Sequence, residues 1–209
     1  MNLSISVKNV CDSFVKEFDK IPAERKEQLQ KLAAYISKKN RDGEIPRLIV
    51  ICTHNSRRSH IGQLWLAVGA EYFGLPLIET YSGGTEATAF NPRSVSALKR
   101  IGFDISNTQA NTQNPKYEVR WSKAMDAYIA FSKKFDDEPN PTSSFGAIMV
   151  CTEADEGCPF VPGCDFRLSL PYDDPKAFDD TALEATKYDE RVLQIGREII
   201  YTMYLVAKA

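Results

Sequence analysis

The sequence predicts an α/β protein built on a parallel four-stranded sheet flanked by helices, and three observations carry that expectation. Short apolar runs, such as residues 48–51 and 147–150, alternate with stretches whose apolar side chains recur at helical spacing. That alternation places helices against a parallel sheet and a ligand at the carboxyl ends of its strands. Punctuation falls between the patterns, as at Asp42-Gly43 and Asn91-Pro92. The 209 residues, 43% of them hydrophobic, suffice for one core domain with an appendage. The division expected is a helical extension over residues 1–45 and a main domain over 46–209.

In the extension, Ile5, Val7, Val10, Cys11, Phe14, Val15 and Phe18 make a one-sided apolar stripe, and Pro22 opens a second helix carrying Leu29, Leu32, Ala33 and Ile36. The pair is expected to pack as a hairpin on the main domain. Strands then follow at 47–52, 77–82, 146–151 and 167–171. Helices are expected at 59–73, where Ile61, Leu64, Trp65 and Val68 repeat, at 92–101, and at 181–206. The last opens on Thr181-x-x-Glu184, a capping-box pattern. Between 107 and 145 the segment Tyr117-Glu118-Val119-Arg120-Trp121 alternates and Ala127-Tyr128-Ile129-Ala130-Phe131 is apolar. This reads as an inserted hairpin that widens the sheet, with a docking surface or a lid as the competing reading. A polar loop with Pro139 and Pro141 closes the insertion.

Composition excludes several classes. No run of about 18 apolar residues exists, so no membrane-spanning segment is expected. A net charge of −2 argues against general nucleic-acid binding. The first residues lack the basic start, apolar stretch and small-residue site of a secretion signal, and five cysteines in such a chain read as chemistry in a reducing cytoplasm rather than as a disulfide framework.

The chemistry concentrates in Cys52-Thr53-His54-Asn55-Ser56-Arg57-Arg58-Ser59, between the first sheet strand and the helix after it. At a helix N-terminus free backbone N–H groups and the positive dipole end favour an anion and a thiolate. Arg58 brings a planar fork that matches tetrahedral oxygens, and Ser59 has a hydroxyl to donate to the sulfur. Cys52 is therefore the expected nucleophile, with residues 53–59 as the oxyanion cradle and Arg57 a solvated or rim charge. His54 and His60 lack the company a metal site needs, and no metal or cofactor is expected.

Cys-x5-Arg-Ser after a first strand, with Asp174-Pro175 far downstream, resembles the low-molecular-weight protein tyrosine phosphatases and their relatives, the thioredoxin-coupled arsenate reductases. Residues 47 onward carry the resemblance, including Tyr81-Ser82-Gly83-Gly84, Asn91-Pro92 and Gly102-Phe103-Asp104-Ile105-Ser106. It implies the phosphatase fold, flavodoxin-like, and an arsenate or phosphate oxyanion as ligand. Cys151-Thr152-Glu153-Ala154-Asp155-Glu156-Gly157-Cys158-Pro159 looks like the redox segment of the arsenate reductases, so the resemblance implies a relay from Cys52 to Cys151 to Cys158 and a thioredoxin-like reductant. Neighbouring parallel strands lie about 4.8 Å apart, inside the Cα separation of about 4.4 to 6.8 Å that a disulfide accepts. A bond between Cys52 and Cys151 is thus geometrically reasonable. Cys11 and Cys164 read as packing thiols.

The resemblance also makes Asp174 the general acid that protonates the departing oxygen, in preference to Asp173. Lys176-Ala177-Phe178 follows where tyrosine phosphatases often carry aromatic residues. His54 stands where the family usually has glycine; His tolerates positive φ better than most residues. The family's potassium ligands align with Asn55, Gln63, Ser82 and Asn111, with amides in place of both carboxylates, so cation binding is not expected. Three readings remain: arsenate reduction, phosphate-monoester hydrolysis through a phosphocysteine, and oxyanion binding or redox sensing without turnover.

Overall fold

The computed structural model describes residues 3–107, 109, 112–122 and 124–209. Helices α1 (Ile5–Val15) and α2 (Ala23–Arg41) come first, joined through a 3-10 turn at Phe18–Lys20. Then follow β1 (Arg47–Cys52), α3 (Arg58–Tyr72), β2 (Glu79–Gly84), α4 (Pro92–Arg100), β3 (Asp104–Asn107), β4 (Tyr117–Arg120), β5 (Tyr128–Ala130), β6 (Phe145–Met149), α5 (Thr152–Gly157) and β7 (Cys164–Ser169). A 3-10 turn at Pro175–Phe178 and the long α6 (Glu184–Lys208) complete the chain.

One sheet is four-stranded and parallel, in the order β2-β1-β6-β7. Strand β1 is buried from Leu48 to Cys52, as a central parallel strand covered on both faces must be, and its apolar run without alternation follows from that. The chain leaves β1 toward β2 on one side and later returns to β6 on the other, so the order reverses at the carboxyl ends of β1 and β6. That is where an open α/β sheet leaves a crevice for a ligand.

The inserted hairpin forms, but it does not widen this sheet. Strands β4 and β5 pair antiparallel and recruit β3 into a separate three-stranded sheet. Its link to the parallel sheet is local: Gly84 and Lys134 form a single bridge, because the chain after β5 crosses directly over the end of β2. A Cβ on Gly83 would lie 2.3 Å from Phe135 Cα, and one on Gly84 2.7 Å from the Asn55 amide nitrogen. Only glycine admits so close a backbone, and it is at these two residues that β2 runs past the expected end at 82.

Helix α6 is the common partner of α1, α2, α3 and α4. The two N-terminal helices each pack on α6 more than on one another, and Val7, Cys11, Phe14, Leu29, Leu32 and Ile36 join the same contiguous core as β1 and β6. The capping box expected at Thr181 is displaced. Glu184 accepts the Asp180 N–H at 2.7 Å and Arg93 Nε at 2.7 Å, while Thr181 Oγ1 accepts the Leu183 N–H. The ion pair with α4 holds Glu184, and the helix starts there instead of at 181. Among the described residues, no helix is long and apolar enough to cross a membrane.

Candidate active site

The loop from Cys52 to Ser59 stands at the carboxyl end of β1 and the start of α3. Its carbonyls are held from outside. Cys52 O accepts the Thr85 N–H, Thr53 O the Glu86 N–H at 2.8 Å and Ser56 O the Asn91 N–H at 2.9 Å. His54 O accepts both Thr88 Oγ1 and Ser132 Oγ. Among the described residues, the backbone N–H groups of 53–57 have no such acceptor. A loop whose oxygens are tied outward and whose amides are unclaimed has the geometry that suits an anion.

Cys52 is 4% exposed, and its Sγ lies 3.1 Å from Ser59 Oγ. Asn55 Nδ2 donates to Ser59 Oγ at 2.8 Å, while Asn55 Oδ1 accepts the Lys133 N–H at 2.9 Å. The residue with positive φ in the loop is Asn55, at 43°, not His54. Asparagine is at home in that region, and the two hydrogen bonds of its buried amide keep it there. His54 instead turns its side chain outward, 3.7 Å from Glu86.

Arg58 is buried and donates from Nη1 to Tyr172 O and from Nη2 to Asp174 Oδ2, both at 2.8 Å. Asp174 Oδ1 accepts the Lys176 N–H at 3.0 Å, which caps the 3-10 turn after it. Asp173 points away: its side chain is 95% exposed and meets Arg191 at 3.2 Å. Of the two aspartates, Asp174 is the one in contact with the loop's arginine. The expectation for Arg57 needs correction. It is neither solvated nor a rim charge, because Nε donates to Tyr188 Oη at 2.9 Å and Nη2 lies 3.5 Å from Asp179. Tyr188 in turn donates to Asp179 at 2.7 Å, so α6 and the turn after Asp174 jointly hold the loop's end.

Cys151 is fully buried as the N-cap residue of α5, at the end of the strand beside β1. Its Sγ lies 3.4 Å from Thr53 Oγ1. Burial pushes this thiol up from its ordinary range, and the Thr53 hydroxyl opposes the shift. Cys158 sits at the other end of α5, half-buried; all five cysteines are free thiols. Arg167 closes over this helix, pairing with Asp155 Oδ1 at 2.6 Å and donating to the carbonyls of Asp155 and Cys158 at 2.8 and 3.0 Å. A cavity of about 330 Å³ lies between the two parts, lined by Arg58, Thr152, Glu153, Tyr172 and Asp174. Cys11 is buried on the inner face of α1, where burial pushes its thiol up to about 12, and Cys164 opens β7.

The side chains aligned with cation ligands are engaged within the protein except at Gln63 Oε1, which is buried without a hydrogen-bond partner among the described residues. Gln63 Nε2 donates to Thr80 O and Tyr128 Oη, and Ser82 Oγ lies 3.3 Å from His60 Nδ1. Asn111 lies outside the described residues. Burial holds His60 well below the ordinary histidine range, with the Lys133 charge adding to the effect. Among the described residues no group of three His, Cys, Asp or Glu side chains is placed to hold a metal ion. Sequence reasoning missed Tyr172, Tyr188, Lys133 and Arg167, which act on the site from distant parts of the chain and carry no local pattern.

No family model matches the chain. It is 29% identical to arsenate reductase 2 of Staphylococcus epidermidis over 127 residues, 60% of this chain and 75% of that protein. It is also 29% identical to the arsenate reductase of Halalkalibacterium halodurans over 150 residues, 71% and 88% of the two chains. Among solved structures, a YwlE mutant from Bacillus subtilis superposes with a TM-score of 0.50 at 15% identity, covering 78% of this chain and 97% of that one. A low-molecular-weight phosphotyrosine phosphatase from Vibrio cholerae O395 gives 0.49 at 13% identity, covering 74% and 92%.

Proposed function

As a chain with the fold of the low-molecular-weight phosphatases and relatives among the arsenate reductases, we propose that it is itself an arsenate reductase, running on Cys52, Cys151 and Cys158. The observation that supports this most is the position of Cys151: buried at the end of the strand next to β1, with Thr53 of the oxyanion loop in hydrogen-bond reach of its sulfur.

In this reading the Cys52 thiolate attacks arsenate held by the loop amides and Arg58, and Asp174 gives a proton to the oxygen that leaves. Cys151, as thiolate, then attacks Cys52 Sγ. The sulfur–sulfur bond forms, the sulfur–arsenic bond breaks, and its electron pair departs with arsenite. Cys158 attacks Cys151, releasing Cys52 and leaving a Cys151–Cys158 disulfide that a thioredoxin-like dithiol reduces. The last exchange requires movement. Seven residue steps along a helix cover about 10 Å, whereas a disulfide needs its Cα atoms within about 6.8 Å, so α5 must unwind and release Arg167. The setting for this chemistry is a reducing cytoplasm.

The second reading is phosphate-monoester hydrolysis, favoured by the contact of Asp174 with Arg58, since a loop and an acid are all it needs. Water would then replace Cys151 as second nucleophile. Arsenite release with a thioredoxin system, measured beside hydrolysis of an aryl phosphate, separates the two. A protein that only binds oxyanions would show neither activity while still retaining phosphate.

A further inference from the structure

A second cavity, of about 400 Å³, lies between α3, β2 and the antiparallel sheet, and no residue from 52 to 59 lines it. Its volume is in the ordinary range for small-molecule sites, about 300 to 1,000 Å³. The walls are apolar and aromatic: Leu77, Ile78, Trp121, Tyr128 and Ile129, with the Trp121 and Tyr128 rings 5.7 Å apart. Leu77 is 64% exposed and Ile129 46%, two large apolar side chains of the lining left open to solvent.

Lys133 also lines this cavity and is only 5% exposed. Among the described residues its ammonium has neither a carboxylate at ion-pair distance nor a hydrogen-bond acceptor; it stands 4.8 Å over the Phe131 ring, and Asp137 acts on it from longer range. Burial without a partner pushes it down to about 8. Glu79, the acidic residue of the lining, is already engaged by Arg47 at 3.1 Å and by Tyr81 Oη at 3.0 Å. One uncompensated positive charge in a ring-lined pocket is complementary to a flat apolar molecule with a single anionic group.

We propose that this cavity is a ligand site, separate from the Cys52 loop, for a small aromatic monocarboxylate whose carboxylate pairs with Lys133 and whose ring lies against Trp121 and Tyr128. Its occupant would sit close to the catalytic loop, since the Lys133 N–H holds Asn55.

The test compares naphthoate with its neutral counterpart naphthylmethanol, by calorimetry and by the fluorescence of Trp121, which lines the cavity as the other tryptophan, Trp65, does not. Wild type is expected to bind the carboxylate about tenfold tighter than the alcohol or better, with no displacement by millimolar inorganic phosphate. Lys133→Met should bring the two probes within about twofold of each other, Lys133→Arg should keep the preference, and Ala67→Phe, which adds a ring at a lining residue from α3, should remove binding of both probes. Equal affinities in wild type, binding of neither probe, or displacement of naphthoate by phosphate would overturn the proposal.

Discussion

The two cysteine segments that meet at the carboxyl ends of β1 and β6 are built in opposite ways. The Cys52 loop is fastened along its length: its carbonyls are held by residues 85–91 and by Ser132, Asn55 bridges Ser59 and Lys133, and α6 grips Arg57. The Cys151–Cys158 segment is one six-residue helix, mostly exposed, clasped by the side chain of Arg167. An attack on a held oxyanion gains from preorganisation, whereas passing oxidation from one thiol to the next requires that a thiol travel. In the proposed relay the contrast separates the part of the site that would stay from the part that would move.

Substitutions test that separation, starting with the largest effect. Cys52→Ser should abolish arsenate reduction and any phosphatase activity while near-UV circular dichroism stays unchanged, because a hydroxyl has no comparable anionic form near neutral pH. Cys158→Ser should end steady turnover yet permit one round, trapping a Cys52–Cys151 disulfide seen as a loss of about 2 Da and as a linked peptide after digestion. Any aryl phosphatase activity should survive it. Equal steady rates of arsenite release from wild type and Cys158→Ser, with thioredoxin as reductant, would break the comparison outright.

Asp174→Asn should slow the first step by about 10²- to 10⁴-fold, and Asp173→Asn, whose carboxylate faces Arg191 in solvent, should do far less; a single-turnover assay with a poor leaving group gives the order. The pH dependence sharpens the contrast. Burial raises the Cys151 thiol, so its thiolate is scarce at neutral pH and gains about tenfold per pH unit while the thiol form dominates. Formation of the trapped disulfide in Cys158→Ser should accelerate with rising pH accordingly; a rate falling over that interval would assign the second step elsewhere. Arg167→Met should have the smallest effect: about fivefold faster transfer from Cys151 to Cys158, the equivalent of ~1 kcal/mol from a partly exposed ion pair.

What could be read from the sequence was whatever depends on neighbours in the chain. The apolar run of β1, the N-terminus of α3 and the Asp174-Pro175 turn each have a local pattern, and each is found at its expected place. What depends on remote partners was not legible. Arg57 looks like any exposed cation until Tyr188, 131 residues away, donates and accepts beside it. Strand β3 shows only one buried side chain, Ile105, in four residues, too little to announce that it would pair with β4 and draw the hairpin out of the main sheet. Gly83 and Gly84 interrupt any strand periodicity; the need at Gly83 arises from the approach of Phe135 and that at Gly84 from the backbones of Glu86, Asn55 and Thr53, which no local pattern records.

The role of α6 as shared partner of α1 to α4 has a consequence for how the chain is made. A ribosome delivers the chain from the N-terminus, so those four helices and the parallel strands emerge well before the helix they lean on. Until α6 follows, α3 lacks its largest neighbour and Arg57 has no Tyr188 to hold it. The hold that α6 places on the end of the Cys52 loop is thus the final piece of these described elements to be delivered.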